Sequence, residues 1–337
     1  MTMTTDTRPR TAVQLQTNGM GDLVWHAEYF RCIAEQSQGG QVTVIAAPTT
    51  MARDLIGHEP WLREVIDFDR RPRNGRRGRH SGLDGLMRMG AELAPKRLDR
   101  MVMFSDHPGR AVIVCWRAGI RTKLGYGATW LQRLLLTKAP RIAMYDGPPV
   151  TGTYLDATAF AIAQGFCSAP LVPHINVRPD ALARMRERLA AWSQPGFALS
   201  IGSSEPFKQW GAENFAELAA RLARTGAGVL LVGGPSETAL AQAITAGIAS
   251  ELRPQVLSLT DAPVADTVAA MSLMRACIGN DTGATNIAAA VGTPAWVLMG
   301  ARPPLMHDPS RMKMLEGASL ADISPAAVEA QVLAGLA

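Results

Sequence analysis

Short apolar runs alternate along this chain with stretches whose apolar residues recur every three or four positions. TAVQLQ (11–16) reads as a buried strand and DLVWHAEYFRCIAEQ (22–36), beyond a glycine-containing loop, as a helix, so the two make a β-α unit. QVTVIAA (41–47), EVIDFD (64–69), RMVMFS (100–105) and TKLGYG (122–127) continue as strands, with helical patterns at 50–57, 83–94 and 109–118 between them. A second series begins near 180, with strands FALSIG (197–202), GVLLVGG (228–234), VLSLT (256–260), ACIGND (276–281) and PAWVLMG (294–300) separated by amphipathic helices. Such alternation predicts a largely parallel sheet in each half, and hence an α/β chain of two doubly wound, Rossmann-like domains. The segment 168–180, SAPLVPHINVRPD, holds three prolines and little periodicity. The expected organisation is therefore a domain over 11–168, a linker over 169–180, a domain over 181–310 and a helical tail over 311–337.

Composition narrows the function. With 337 residues, 47% hydrophobic and 19% charged, the chain has room for two medium domains, each burying most of its unfolded surface. Cys32, Cys115, Cys167 and Cys277 form no C-x-x-C pair, which argues against a zinc cluster or a disulfide framework. Lysine and arginine exceed the acids by 34 − 29 = 5, too small an excess for a nucleic-acid partner. No apolar run approaches the ~20 residues of a spanning helix, and the start lacks a leader pattern, so a cytoplasmic protein is expected. The basic residues are unevenly placed. Arg70, Arg71, Arg73, Arg76, Arg77 and Arg79 crowd one segment, RRPRNGRRGRH (70–80).

Several common chemistries are missing. No G-x-G-x-x-G follows the first strand, and phosphate-loop, H-E-x-x-H and G-x-S-x-G patterns do not occur. Asp67-Phe-Asp69 looks like a metal-binding pair but is a common chance triplet on a strand.

Three loops leaving strands carry more. Asn18-Gly19-Met20-Gly21-Asp22 offers close backbone approach and a carboxylate, read either as a helix cap worth about 1 kcal/mol or as a general base. Ser203-Ser204-Glu205-Pro206-Phe207-Lys208 offers hydroxyls and an ammonium, suited to a diphosphate or simply solvated. Asn280-Asp281-Thr282-Gly283-Ala284-Thr285-Asn286 opens a small-residue helix whose free N–H groups can hold an anion. Between the last two, Gly233-Gly234-Pro235-Ser236-Glu237 brings a carboxylate for ribose hydroxyls or for the helix dipole.

Taken in order, these loops resemble glycosyltransferase family 9, the heptosyltransferases of lipopolysaccharide core assembly. Met20-Gly21-Asp22-Leu23-Val24 is similar to the family's G-D loop, and Lys208-Gln209-Trp210 with Glu213-Asn214-Phe215 to its K-x-W-P-x-E-x-F segment. Asn280-Asp281-Thr282-Gly283 followed by Ala288-Ala289-Ala290-Val291-Gly292-Thr293-Pro294 is similar to N-D-[ST]-G-x-x-H-x-A-A-A-x-G-x-P, and the likeness runs over roughly residues 11–300. The resemblance implies two domains facing a cleft, the glycosyltransferase B type, and an inverting, metal-independent transfer of heptose from an ADP-linked donor to a lipopolysaccharide core or related glycolipid. No cofactor is implied beyond the nucleotide sugar.

Asp22 matches the family's base. Ser203, Ser204, Lys208, Thr282 and Gly283 are expected on the donor diphosphate, Glu237 on ribose, and Asp281 on the donor sugar or as a cap. Gly21 and the arginines, Arg73, Arg76 and Arg77 foremost, are expected to meet an anionic, lipid-linked acceptor. The same basic loop suggests peripheral contact at the inner face of the cytoplasmic membrane.

The chain departs from the pattern at Asn286, where the family has His, and at Gly211 and Glu28, where Pro is common. Asn286 is expected one turn along the helix from Gly283, facing the donor phosphates without the charge a histidine brings. Another nucleotide sugar as donor, or a degenerate member that binds nucleotide or glycan without turnover, are the alternatives this departure leaves open.

Overall fold

A computed structural model describes residues 6–71, 76–142, 152–192, 195–203, 205–302 and 308–337. They form two compact units, one within Met1–Asp146 and Gly152–Val172, the other within Pro173–Ala337. The first unit runs β1 (Thr11–Leu15), α1 (Met20–Glu35), β2 (Val42–Ala46), α2 (Ala52–Ile56), β3 (Leu62–Asp67) and α3 (Gly82–Leu93). It continues with β4 (Arg100–Phe104), α4 (Gly109–Ala118), β5 (Thr122–Gly125), α5 (Trp130–Leu135) and α6 (Gly152–Ala163). The second runs α7 (Pro179–Arg188), β6 (Phe197–Ser200), α8 (Ala212–Arg224), β7 (Val229–Val232), α9 (Thr238–Ala246), β8 (Val256–Ser258) and α10 (Val264–Ser272). It ends with β9 (Ala276–Asn280), α11 (Gly283–Ala290), β10 (Ala295–Gly300), β11 (Met312–Glu316) and α12 (Pro325–Leu336).

Both sheets are parallel. The first has the order β3-β2-β1-β4-β5, with Val13 opposite Val44 on one side and Val102 on the other. Covered on both faces by helices, its central strand can carry apolar residues at successive positions, and every residue of TAVQL is buried. From α1 the side chains of Leu23, Tyr29, Phe30 and Ile33 are lost to solvent beneath the sheet, each worth about 1.5–3 kcal/mol.

The second sheet has the order β11-β10-β9-β6-β7-β8. Phe215, Leu218 and Leu222 share one face of α8 at helical spacing and join the core, while Glu217 and Arg221 pair on its outer side. Glycine is required at 279, where a Cβ would stand 2.3 Å from the carbonyl oxygen of Ser200 on the neighbouring strand. The segment 311–337, expected as a helical tail, supplies a sheet strand as well as a helix. β11 extends the sheet beyond β10, and Val328 and Val332 of α12 enter the core. MKMLE is a short run with a lysine inside it, which hides its strand character in the sequence.

Candidate functional sites on the two units

In an open parallel sheet the strand order reverses at one point, and the loops leaving the two strands there splay apart to form a crevice. In the first unit that point lies between β1 and β4. Gln16, Thr17 and Asn18 beyond β1, and Ser105 and Asp106 beyond β4, line a cavity of about 710 Å³ that also takes in Arg70, Arg71, His80, Arg110 and Tyr126. Asp22 follows this loop as the third residue of α1, so it does not itself precede the helix as a cap residue. Its Oδ2 accepts the N–H of Gly19 at 3.0 Å. A Cβ at position 19 would sit 3.0 Å from the same oxygen, so the glycine leaves the carboxylate room to reach back to the backbone. Gly21 is buried behind it.

One turn on, Nδ1 of the fully buried His26 lies 2.6 Å from the carbonyl oxygen of Asp22 and donates to it in that tautomer. Nε2 has no hydrogen-bond partner among the described residues, and burial holds the imidazole below its usual pKa despite the opposing pull of the Asp22 carbonyl and charge. A ring in that environment is neutral near pH 7 and packs as an aromatic, edge-on to Phe104 with centroids 5.1 Å apart.

The arginine segment divides by position. Arg73 lies outside the described residues. Arg76 pairs with Asp69 at 3.2 Å and Arg77 with Asp84 at 3.3 Å, both on the surface. The two arginines that line the cavity are Arg70 and Arg71. Phe68 is buried at the end of β3 and carries the Arg70 guanidinium 5.1 Å above its ring, which turns that side chain toward the cavity. Burial, with the charges of Arg110 and Arg71, lowers the Arg70 pKa, though it stays a cation. Three guanidiniums held this close repel one another until an anion arrives. Asp67 and Asp69 are engaged by Arg53 and Arg76.

In the second unit the reversal lies between β6 and β9, so the loops after Ser200 and Asn280 define its crevice. Asn280 is fully buried and ties them together: its amide donates to the carbonyls of Ile201 and Gly202 and to Gln209 Oε1, while its Oδ1 accepts from Trp210 N. Lys208 is thereby placed with Nζ 2.7 Å from Glu205 and 3.1 Å from Asp281. Burial pulls its pKa down, but Glu205 and Asp281 more than offset this and the net shift is upward.

Sequence reasoning missed Arg302. It leaves the end of β10, donates to the carbonyls of Met299 and Leu298, and pairs with Asp281 at 2.6 Å. Asp281 is thus the shared anion of two cations, and the residue preceding α11 as its cap is Thr282, whose hydroxyl lies 3.0 Å from Ser200 Oγ. The first-turn amides of α11, beginning with Gly283, have no carbonyl partner within the helix, so an anion there meets N–H donors as well as Lys208.

The other expected donor residues fall as follows. Ser203 bonds to the backbone of Glu205, and Ser204 lies outside the described residues. Glu237 accepts from Gly234 N at 2.7 Å and Ser236 Oγ at 2.7 Å, beside Gly202 at the end of β6. Asn286 is 4% exposed, and its amide donates back to the carbonyl of Thr282 at 2.9 Å.

The second parallel α/β unit thus holds a lysine and an arginine on a shared carboxylate beyond β6, β9 and β10, and the first holds a carboxylate and arginines beyond β1 and β4. The model of glycosyltransferase family 9 (heptosyltransferase) matches residues 86–317, more than half of the sequence. The chain belongs to that family and is a glycosyltransferase. Among solved structures it is similar to E. coli ADP-heptose LPS heptosyltransferase II, with 21% identity, a TM-score of 0.77, and 97% of this chain and 98% of that one covered. A family 9 glycosyl transferase from Veillonella parvula gives 19% identity, a TM-score of 0.78 and 97% coverage of both. E. coli heptosyltransferase WaaC with ADP-2-deoxy-2-fluoro heptose gives 16% identity, a TM-score of 0.72, and 96% and 99% coverage. These likenesses are of fold. Comparison with curated proteins gives no match.

Proposed function

We propose that this glycosyltransferase moves a heptose from an ADP-linked donor to a lipopolysaccharide core or related glycolipid, with inversion and without a metal ion. The observation that carries the reading is the meeting of Lys208 and Arg302 on Asp281 beside the start of α11. As the bond from the sugar to the diphosphate breaks, negative charge grows on the leaving oxygens. A lysine, an arginine and helix amides aimed at that region stabilise it where other enzymes use a divalent ion. Glu237 takes the ribose hydroxyls, and Ser203, Ser204 and Thr282 complete the phosphate contacts. Asp22 receives the proton of the acceptor hydroxyl as it attacks the oxocarbenium-like sugar carbon. Gly21 leaves room for that acceptor, and Arg70, Arg71 and Arg110 hold its phosphates or carboxylates, with Arg73, Arg76 and Arg77 supplying outer charge.

The test is to incubate purified protein with ADP-heptose and a heptose-deficient lipopolysaccharide acceptor, with and without EDTA, and weigh the product. A gain of one heptose unit, indifferent to EDTA and lost in Asp22→Asn, is expected. Transfer from a uridine- or guanosine-linked sugar instead would replace the donor, and nucleotide binding with no transfer from any donor would make the chain a degenerate binding member.

A further inference from the structure

Helix α5 presents its faces in reverse. Its buried residue is Gln132, 7% exposed, which donates to the carbonyl of Asp106 at 2.5 Å and accepts from Thr129 N at 3.0 Å. Trp130, Leu131 and Leu134 point outward at 71%, 47% and 71% exposure. At 100° per residue these three positions fall within one arc of about 100°, so they form a stripe and not a scatter. The rest of the segment adds a second observation. From His107 to Ile142 the sequence has seven cations, Arg110, Arg117, Arg121, Lys123, Arg133, Lys138 and Arg141, and no Asp or Glu. Among the described residues none of the seven is in an ion pair, although surface cations elsewhere in this unit pair readily. α4, against which α5 packs, carries Arg117 exposed.

An apolar stripe containing tryptophan, carried on a segment with seven cations and no acid, complements an anionic bilayer: the ring and leucines enter the headgroup region and the cations meet lipid phosphates. We propose that this face of the first unit docks on an anionic lipid surface. Docking itself is independent of the reaction assigned above. Its benefit for a lipid-linked acceptor rests on that reading, because Gln132 holds the carbonyl of Asp106, a residue that lines the arginine cavity.

The experiment is co-sedimentation of the full chain with vesicles of phosphatidylethanolamine and phosphatidylglycerol, or of phosphatidylcholine alone. Wild type is expected to follow the anionic vesicles only, and brominated lipid is expected to quench tryptophan fluorescence, an effect diminished in Trp130→Phe. Affinity should fall at least about tenfold in W130S/L134S and in R117Q/R121Q, with melting temperature and ADP binding unchanged. Binding indifferent to lipid charge, or variants that bind like wild type, would overturn the proposal. So would a wild-type dimer that W130S/L134S converts to monomer, since the stripe would then join two copies. Vesicle binding as expected without heptose transfer would leave docking in place and remove the heptose-transfer reading instead.

Discussion

Nη1 of Arg302 lies 2.6 Å from Oδ2 of Asp281, the oxygen that also receives the ammonium of Lys208 at 3.1 Å. One carboxylate therefore fixes two cations that approach from different strands. Glu205 completes the group, so two positive and two negative charges balance before any ligand is present. Glu205 is the more exposed of the two carboxylates on Lys208, so on the proposed reading it is the one that gives way to a diphosphate.

Arg302→Ala should weaken ADP binding by about 1.5–3 kcal/mol, the range for a hydrogen bond to a charged group. Arg302→Lys should recover little, since an ammonium cannot hold the two strand-end carbonyls and Asp281 together. Glu205→Gln should tighten ADP by removing the competing charge. Calorimetric titration reads all three, and weaker binding in Glu205→Gln would show that Glu205 orients Lys208 instead of competing for it.

For Asp22→Asn we expect transfer to drop by about 10²–10⁴-fold with ADP affinity kept. The amide oxygen can still accept from Gly19, so the start of α1 keeps its shape while the proton acceptor is gone. Single-turnover rates beside a binding isotherm separate the two effects.

Arg70→Gln and Arg110→Gln should raise KM for an anionic acceptor several-fold and leave donor affinity alone, whereas Arg77→Gln, which loses an exposed pair with Asp84, should do far less. Added salt should narrow the difference only partly, because the cavity is screened less than the surface. Equal effects in all three would return the acceptor to the outer loop.

His26 sets a stability expectation with a definite sign. Its folded pKa is depressed by burial, so above about pH 6.5 the ring is neutral in both states and contributes nothing. Below that, the unfolded chain takes up a proton that the folded one refuses. Stability falls as pH drops toward the lowered folded value, by at most about 1.4 kcal/mol per pH unit. Urea unfolding across this range should show a shallower loss in His26→Gln than in wild type.

The strand-to-loop junctions carried most of the legible signal. Lys208 and Asp281 follow strands in clear apolar runs, and a doubly wound order brings those two ends together. Arg302 sits in Met299-Gly300-Ala301-Arg302, with no motif around it. What would have revealed it is the position of β10 next to β9, which sequence periodicity does not state. In the arginine segment the residue types were plain, but which ones turn inward depends on Phe68 being anchored at the end of β3. Asn286 lies one turn beyond Gly283, where its spacing puts it, and its amide also donates to the carbonyl of Thr282, the residue before α11, a bond that spacing does not state. Helix α5 has an apolar pattern whose inward face cannot be told from its outward one without seeing Gln132 reach Asp106.

The position of β11 and α12 also shapes the order in which the two units are completed during synthesis. The first has all its strands by Gly125 and its closing helix by Ala163, so it can collapse while the ribosome is still at work. The second cannot. α8 is made by residue 224, yet α12, which covers it and whose Gly335 lies against Trp296, arrives more than a hundred residues later. Until then a tryptophan-centred apolar face and the edge of β10 stand open. The second unit is therefore the one whose core stays open longest during synthesis, and the one that a chain stopped before α12 leaves incomplete.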